Sequence, residues 1–371
     1  MPLRVSLPRC RYGKHLSKEQ VAELVAPHPE TLAIVNSWLD HHEIPPSSVS
    51  LTHGGNTLTL KGVSIDKANT LLGASYRLYR QVETNATIIR TVGYALPAVL
   101  QEHVLTVAPT TSFVSPPPRW KIPQNSTGVA AGGVVNSTSG EPAPVLSNRA
   151  SLPYITIPFL RWLYHTNAYK PSVATKNGLG IVGYLGDYPR QSDLTAYMRK
   201  NRIDGLSAAY SVVQVNHGPY DPNGVPHIEA NLDVQLAEAM GYPIPVTFYS
   251  AGEGSESDDE EEDEDDVFLS WLSFILEEED IPQTISTSYF YDELSVEESL
   301  AWHMCKLFGQ LGLRGISVLF ASGDDGVGPG NCVRPDGSVR FKPKFPPTCT
   351  CCILSRIDRE PSLLATIAQL W

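Results

Sequence analysis

The chain has 371 residues, 42% of them hydrophobic, which exceeds the needs of one ordinary domain and leads us to expect two globular units with sizeable cores. Its net charge of −12 is local, because ten carboxylates crowd positions 256–266 and the remainder carries about −2. With no basic surface to hold a phosphate backbone and no apolar run of about eighteen residues, the composition argues against nucleic acid as a partner and against a membrane-crossing helix.

In the first hundred residues, Ser17 to Gln20 form a capping box ahead of VAELV, and PETLAIVNSWLDHH repeats apolar positions at helical spacing, so two helices are expected. SVSLTHGGNTLTLKGV reads as two strands joined at Gly54-Gly55. A short helix through DKANTLLG and strands at TIIRTV and HVLTVAP follow, which makes residues 1–109 a small α+β unit. Residues 110–151 turn to Ser, Pro, Gly and Asn and lose all periodicity, the mark of an exposed linker. Residues 152–348 then alternate strand patterns (GLGIVGYLG, SVVQV, PVTFYS, TISTSY, ISVLFASGD) with helical ones (SDLTAYMRKN, EANLDVQLAEAMG, VFLSWLSFILEE, AWHMCKLFGQLG). This is the pattern of an α/β unit whose parallel sheet is wrapped by helices. The acidic tract falls between a strand and a helix. It reads as a solvated insertion rather than a calcium loop, since it lacks alternating ligands and a turn glycine.

Six cysteines are present, Cys10, Cys305, Cys332, Cys349, Cys351 and Cys352. Cys332 and Cys349 bracket a short loop as a disulfide of a secreted protein would, buried free thiols being the other reading. Zinc is disfavoured, because Thr350 alone separates Cys349 from Cys351 and no nearby His completes a tetrahedral set. Sequons at Asn85, Asn125 and Asn136 are candidate glycosylation sites and favour an extracellular location, although MPLRVSLPRC has no apolar stretch of secretory-signal length. His41, His42 and His53 all fall in the first unit and read as surface histidines rather than members of a triad.

Glu229 and Asp233 are four apart in EANLDVQ, so on a helix both project from one face and can approach a common point. An isolated E-x-x-x-D is most often a solvated face carrying two unrelated acids. Asp324 follows the β-rich VLFASG and precedes Gly326 and Gly328, placing its carboxyl at a strand end, where an Asp commonly just caps a turn.

These segments carry a resemblance. RYGKHLSKEQVAELVAPHPETLAIVNSWL is similar to the propeptide of the sedolisin family, the serine-carboxyl peptidases. ITIPFLRWLY, GIVGYLGDYPRQSDL, EANLDVQ and SVLFASGDDGVG resemble its catalytic domain in order and spacing, most closely in fungal secreted tripeptidyl-peptidases. The resemblance implies a subtilisin-like parallel sheet behind a ferredoxin-like prodomain, a secreted zymogen, peptide or protein substrates and contact with its own propeptide. It implies Glu229 as the general base toward a serine, Asp233 as the group that orients and charge-balances it, and Asp324 as a protonated oxyanion donor, hence activity at acid pH. Ser288 and Tyr289 resemble the family's substrate-lining SYG turn.

Several positions depart from the family. Phe290 stands where that turn has glycine, and Asp325 where serine usually follows the oxyanion acid. Residues 349–371 have no resemblance to the continuation that carries the GTS-type serine nucleophile and a calcium site, and they read as a frameshifted or misspliced tail; a signal peptide and a first propeptide strand are also missing from the pattern. No serine here has the nucleophile's setting, and no cofactor or metal ligand set is present. Two readings follow: a serine-carboxyl peptidase by descent that retains its acid half-site but is inactive as it stands, or a non-catalytic fragment or propeptide-bearing module that binds or inhibits a related enzyme.

Overall fold

The computed structural model describes residues 13–52, 54–80, 87–113, 156–172, 177–225, 227–252, 266–323, 337–338, 343–349 and the backbone of 353–355. In the first unit, helix α1 (Lys18–Val25) starts at the expected capping box, with Ser17 accepting from Gln20 N and the Gln20 side chain accepting from Ser17 N. Helix α2 (Pro29–His41) follows, then β1 (Val49–Leu51) and β2 (Leu58–Leu60), paired antiparallel as the sequence suggests, and α3 (Ile65–Leu72), closed by left-handed Gly73. Strand β4 (Thr87–Arg90) also forms, but its antiparallel partner is β3 (Arg77–Arg80). The strand expected at HVLTVAP is absent. That segment makes no ladder: its start turns back on Leu100, whose carbonyl accepts from His103 N and Val104 N, and Pro109 at its end has no N–H to give a neighbour. Leu39, Ile44, Leu71 and Leu72 form this unit's core.

The second unit begins with α4 (Ile157–Leu163) and builds a six-stranded parallel sheet from β5 (Leu179–Gly183), β6 (Tyr210–Val215), β7 (Val246–Ala251), β8 (Thr284–Thr287), β10 (Ser317–Ala321) and β12 (Ile353–Ser355). The spatial order is β12-β10-β8-β5-β7-β6, and a short antiparallel pair of β9 (Tyr291–Asp292) and β11 (Lys344–Phe345) lies apart from it. Period-two alternation sends neighbouring residues to opposite faces. Ile181 and Phe248 face α5 (Gln191–Asn201) and α6 (Ile228–Gly241), while Val182 and Tyr249 face α7 (Val267–Glu277) and α8 (Glu298–Leu313). Helix α7 buries Phe268, Trp271, Leu272 and Ile275 at i, i+3, i+4 and i+7, each contributing roughly 1.5–3 kcal/mol of hydrophobic stabilisation. Helices cover both faces, as the alternating pattern predicts.

The two units meet along α7 and α8. Leu16 N donates to the Leu313 carbonyl at the end of α8 (2.9 Å), and the His15 ring packs where a side chain on left-handed Gly315 would stand. Lys18 donates to the Glu277 carbonyl and lies 3.3 Å from Glu279. At the other end of α8, Thr111 donates to Glu297 and Ser299 donates to Thr106.

A disulfide joins Cys349 to Cys305, with 5.4 Å between the Cα atoms, which corrects the expected pairing with Cys332. The pairing of β11 with β9 returns the chain to α8, where Cys349 is buried beside the core that Cys305 packs against. Cys332 lies outside the described residues, as do Cys10, Cys351, Cys352, Asn85, Asn125, Asn136, His53 and all of the acidic tract except Asp266. Asp266 itself caps α7, accepting from Phe268 N and Leu269 N at 3.0 Å.

Candidate active site

Parallel strands end together, so β5 and β8, paired with Val182 opposite Thr287, release their following residues at one edge of the sheet. Helix α6 delivers Glu229 and Asp233 to that edge. Its inward face, Ala230 and Val234, is fully buried against the sheet, which leaves the two acids on the adjoining face, both half-buried. The start of α6 is tied to the segment after β5: Tyr188 N donates to His227 Nδ1 (3.2 Å), Arg190 N donates to Asn231 Oδ1 (3.0 Å), and Asn231 Nδ2 donates to Asp193 Oδ2 (3.0 Å).

Ser288 Oγ donates to Asp233 Oδ1 at 2.9 Å. One residue on, Tyr289 Oη donates to Asp187 Oδ2 at 3.1 Å in a buried bond. Burial pushes the Asp233 carboxyl up to about 7, the charge of Glu229 adds to the rise, and the Ser288 hydroxyl opposes it. The Tyr289 hydroxyl is held far above its usual range, first by burial, then by Asp187, and further by Asp233 and Glu229. Below it the rings of Tyr184 and Phe268 make an aromatic floor, Tyr184 meeting Tyr289 edge-on at 5.4 Å. A carboxyl that stays protonated to near neutrality beside a second carboxylate can share one proton with it, which is the requirement for a tunable general base.

The structure thus gathers Glu229, Asp233, Ser288 and Tyr289 at one end of the sheet. Tyr289, expected to line a substrate, is instead buried with its hydroxyl on Asp187. Asp324 lies outside the described residues; the strand that leads to it, β10, runs beside β8 in the same direction, with Phe320 opposite Thr287. The Phe290 ring occupies the space over left-handed Gly323, and Lys344 Nζ sits 5.0 Å from the ring centroid. Asp187 escaped the sequence reading. Its only local sign is a carboxylate directly after a strand and a glycine, in GYLGDYP.

Residues 3–113 match the family model of the pro-kumamolisin activation domain. Over 358 residues the chain is 31% identical to a probable tripeptidyl-peptidase, SED3, of Trichophyton verrucosum, covering 94% of this chain and 58% of that protein. It is also 31% identical to the tripeptidyl-peptidase SED2 of Arthroderma otae, covering 93% and 58%. A solved structure of a Pseudomonas sedolisin, a serine-carboxyl proteinase complexed with pseudo-iodotyrostatin, aligns at 17% identity and a TM-score of 0.39 over 54% of this chain and 52% of that one, a likeness too slight to bear on the fold. The chain belongs to the sedolisin family and spans somewhat over half the length of the curated relatives it matches.

Proposed function

We propose that this chain carries the acid half of a serine-carboxyl peptidase site, built to release tripeptides from free peptide N-termini at acid pH, with residues 1–109 serving as its propeptide. The observation that carries the reading is the pair on α6: Asp233, pushed up to about 7, lies beside Glu229 and takes a hydrogen bond from Ser288. Glu229 is the base toward a serine hydroxyl. Asp233, protonated below about pH 7, donates a hydrogen bond to the Glu229 carboxylate and orients it toward the serine, as the third member of a triad orients its base. Asp324 is the oxyanion donor. The substrate class comes from the relatives, which are named tripeptidyl-peptidases. Secretion and glycosylation at Asn85, Asn125 and Asn136 fit the same reading, as does the Cys305–Cys349 disulfide.

The 371 residues contain no serine in the nucleophile's setting, so we infer that they do not turn over peptides by themselves and act, if at all, as a binding module. Purified chain assayed at acid pH on a tripeptidyl reporter should release nothing. Joining residues 1–348 to the remaining portion of a relative should restore release, and Glu229→Gln or Asp233→Asn in that fusion should reduce kcat by about 10² or more. A fusion whose activity is indifferent to both substitutions would remove the acid pair from the mechanism. Turnover by the 371-residue chain that Glu229→Gln abolishes would overturn the inactive reading.

A further inference from the structure

We infer that Asp187 is a positioning residue of this site: its carboxylate anchors the Tyr289 hydroxyl and, through the Ser288–Tyr289 peptide, keeps the Ser288 hydroxyl on Asp233. The inference rests on the acid-pair reading above. Asp187 is 8% exposed and Tyr289 7%, so this carboxylate has left bulk water for a site where its bond to Tyr289 helps offset the lost hydration. The bond links residues 102 apart in sequence, and it joins the segment after β5 to the end of β8, the strand next to it in the sheet.

The backbone that presents Asp187 is strained. Leu185 and Gly186 both have positive φ, 60° and 72°, and Asp187 N closes the turn onto the Tyr184 carbonyl at 3.0 Å. A leucine rarely adopts that conformation, and it persists only where surrounding structure over-determines it. Gly183 completes the fit, because a side chain there would stand 2.5 Å from the Phe248 ring and 2.9 Å from the Asp187 carbonyl. The groups around Asp233 are Glu229 from its own helix and Ser288 and Tyr289 from the end of β8. Ser288 donates a hydrogen bond to it, and that residue is the one Tyr289 holds in place.

The test is the titration of Asp233 in whole chain labelled with ¹³C-aspartate, followed by carboxyl NMR, with Asp233→Asn identifying the resonance. Ser288→Ala removes the bond that opposes the rise and should move the Asp233 midpoint upward by about half a pH unit. Tyr289→Phe and Asp187→Ala should move it in the same direction, and their combination no further. Asp187→Asn, which keeps an acceptor for the tyrosine hydroxyl, should leave the midpoint at or below the wild-type value. The sign separates positioning from charge, since merely deleting a nearby negative charge lowers a carboxyl's midpoint. If Asp187→Ala does not fold, Tyr289→Phe decides the question alone. A midpoint unmoved by Tyr289→Phe while Ser288→Ala shifts it overturns the positioning role and leaves the acid-pair reading standing. A midpoint unmoved by Ser288→Ala overturns the Ser288–Asp233 contact and the inference with it.

Discussion

At the edge of the sheet Asp233 faces another carboxylate and is pushed up to about 7, whereas along α7 and α8 the acids Glu277, Glu279 and Glu297 each hold a partner from residues 3–113: Lys18 for the first two and Thr111 for the third. The same residue types therefore do opposite work. In the first region burial and like charge favour the protonated form; in the second the carboxylates accept from a cation and a hydroxyl and tie the two units together. Acidification should accordingly consolidate the carboxyl end of the sheet, where Asp233 binds its proton more tightly than in the unfolded chain.

The largest expected effect lies one helical turn beyond the acid pair. Glu238, on α6, is 2% exposed, its Oε1 has no hydrogen-bond partner among the described residues, and burial pushes it up to about 7 against the opposing charge of Arg202. The nearby guanidinium is spent on the Ala239 and Tyr242 carbonyls. The folded state therefore binds a proton more tightly than the unfolded chain, and stability is lost as pH rises from the ordinary carboxylate range toward 7. Asp233, and Asp266 at about 6, contribute in the same sense. Glu238→Gln should raise stability at neutral pH by roughly 2 kcal/mol after allowance for solvent screening, and by far less at acid pH. Melting temperatures across that range check it, and an unchanged slope of Tm against pH would show that Glu238 pays no penalty for its burial.

Next in size is the hydroxyl contact at the start of α8. Glu297 stands at the helix N-cap position and accepts from Thr111 with one oxygen and from Ser299 with the other, at 2.6 Å. Thr111→Val should cost about 1 kcal/mol and raise hydrogen exchange in the first turn of α8, while leaving the Asp233 titration untouched. A change at Asp233 would mean that the two regions are coupled and that their contrast is false.

Much of this was legible in sequence where one local rule decides the outcome. The capping box at Ser17 set the start of α1, and the four-residue spacing of Glu229 and Asp233 put both on one face of α6. What escaped depends on pairing at a distance. HVLTVAP has the alternation of a strand, yet β4 takes its partner from RLYR, whose flanking arginines hide the pattern. Cys349 lies near Cys332 along the chain but near Cys305 in space, because β11 folds back to β9. Asp187 is likewise invisible as a member of the site until β5 and β8 lie side by side, since nothing in GYLGDYP marks Tyr289 as its partner.

The smallest expected effect tests the clasp at the far end of α8. The Lys18 side chain is only 12% exposed, but Glu277 and Glu279 are 42% and 69% exposed, so water and salt screen both pairs. Lys18 also donates to the Glu277 carbonyl beside Arg314, which donates to the Leu276, Glu278 and Glu279 carbonyls and so makes most of the closure at the end of α7. Lys18→Met keeps the apolar stem but removes the charge and the donor to the Glu277 carbonyl, which water can replace at this exposed helix end, and it should cost a few tenths of a kcal/mol at low ionic strength and less in high salt. Arg314→Met at the same end should cost more, because it strips three carbonyls of their donor and leaves them to water. If Lys18→Met proved the costlier of the two and its effect survived salt, the hold of the activation domain on α8 would rest on the ammonium rather than on the backbone bond from Leu16 and the packing of His15 on Gly315.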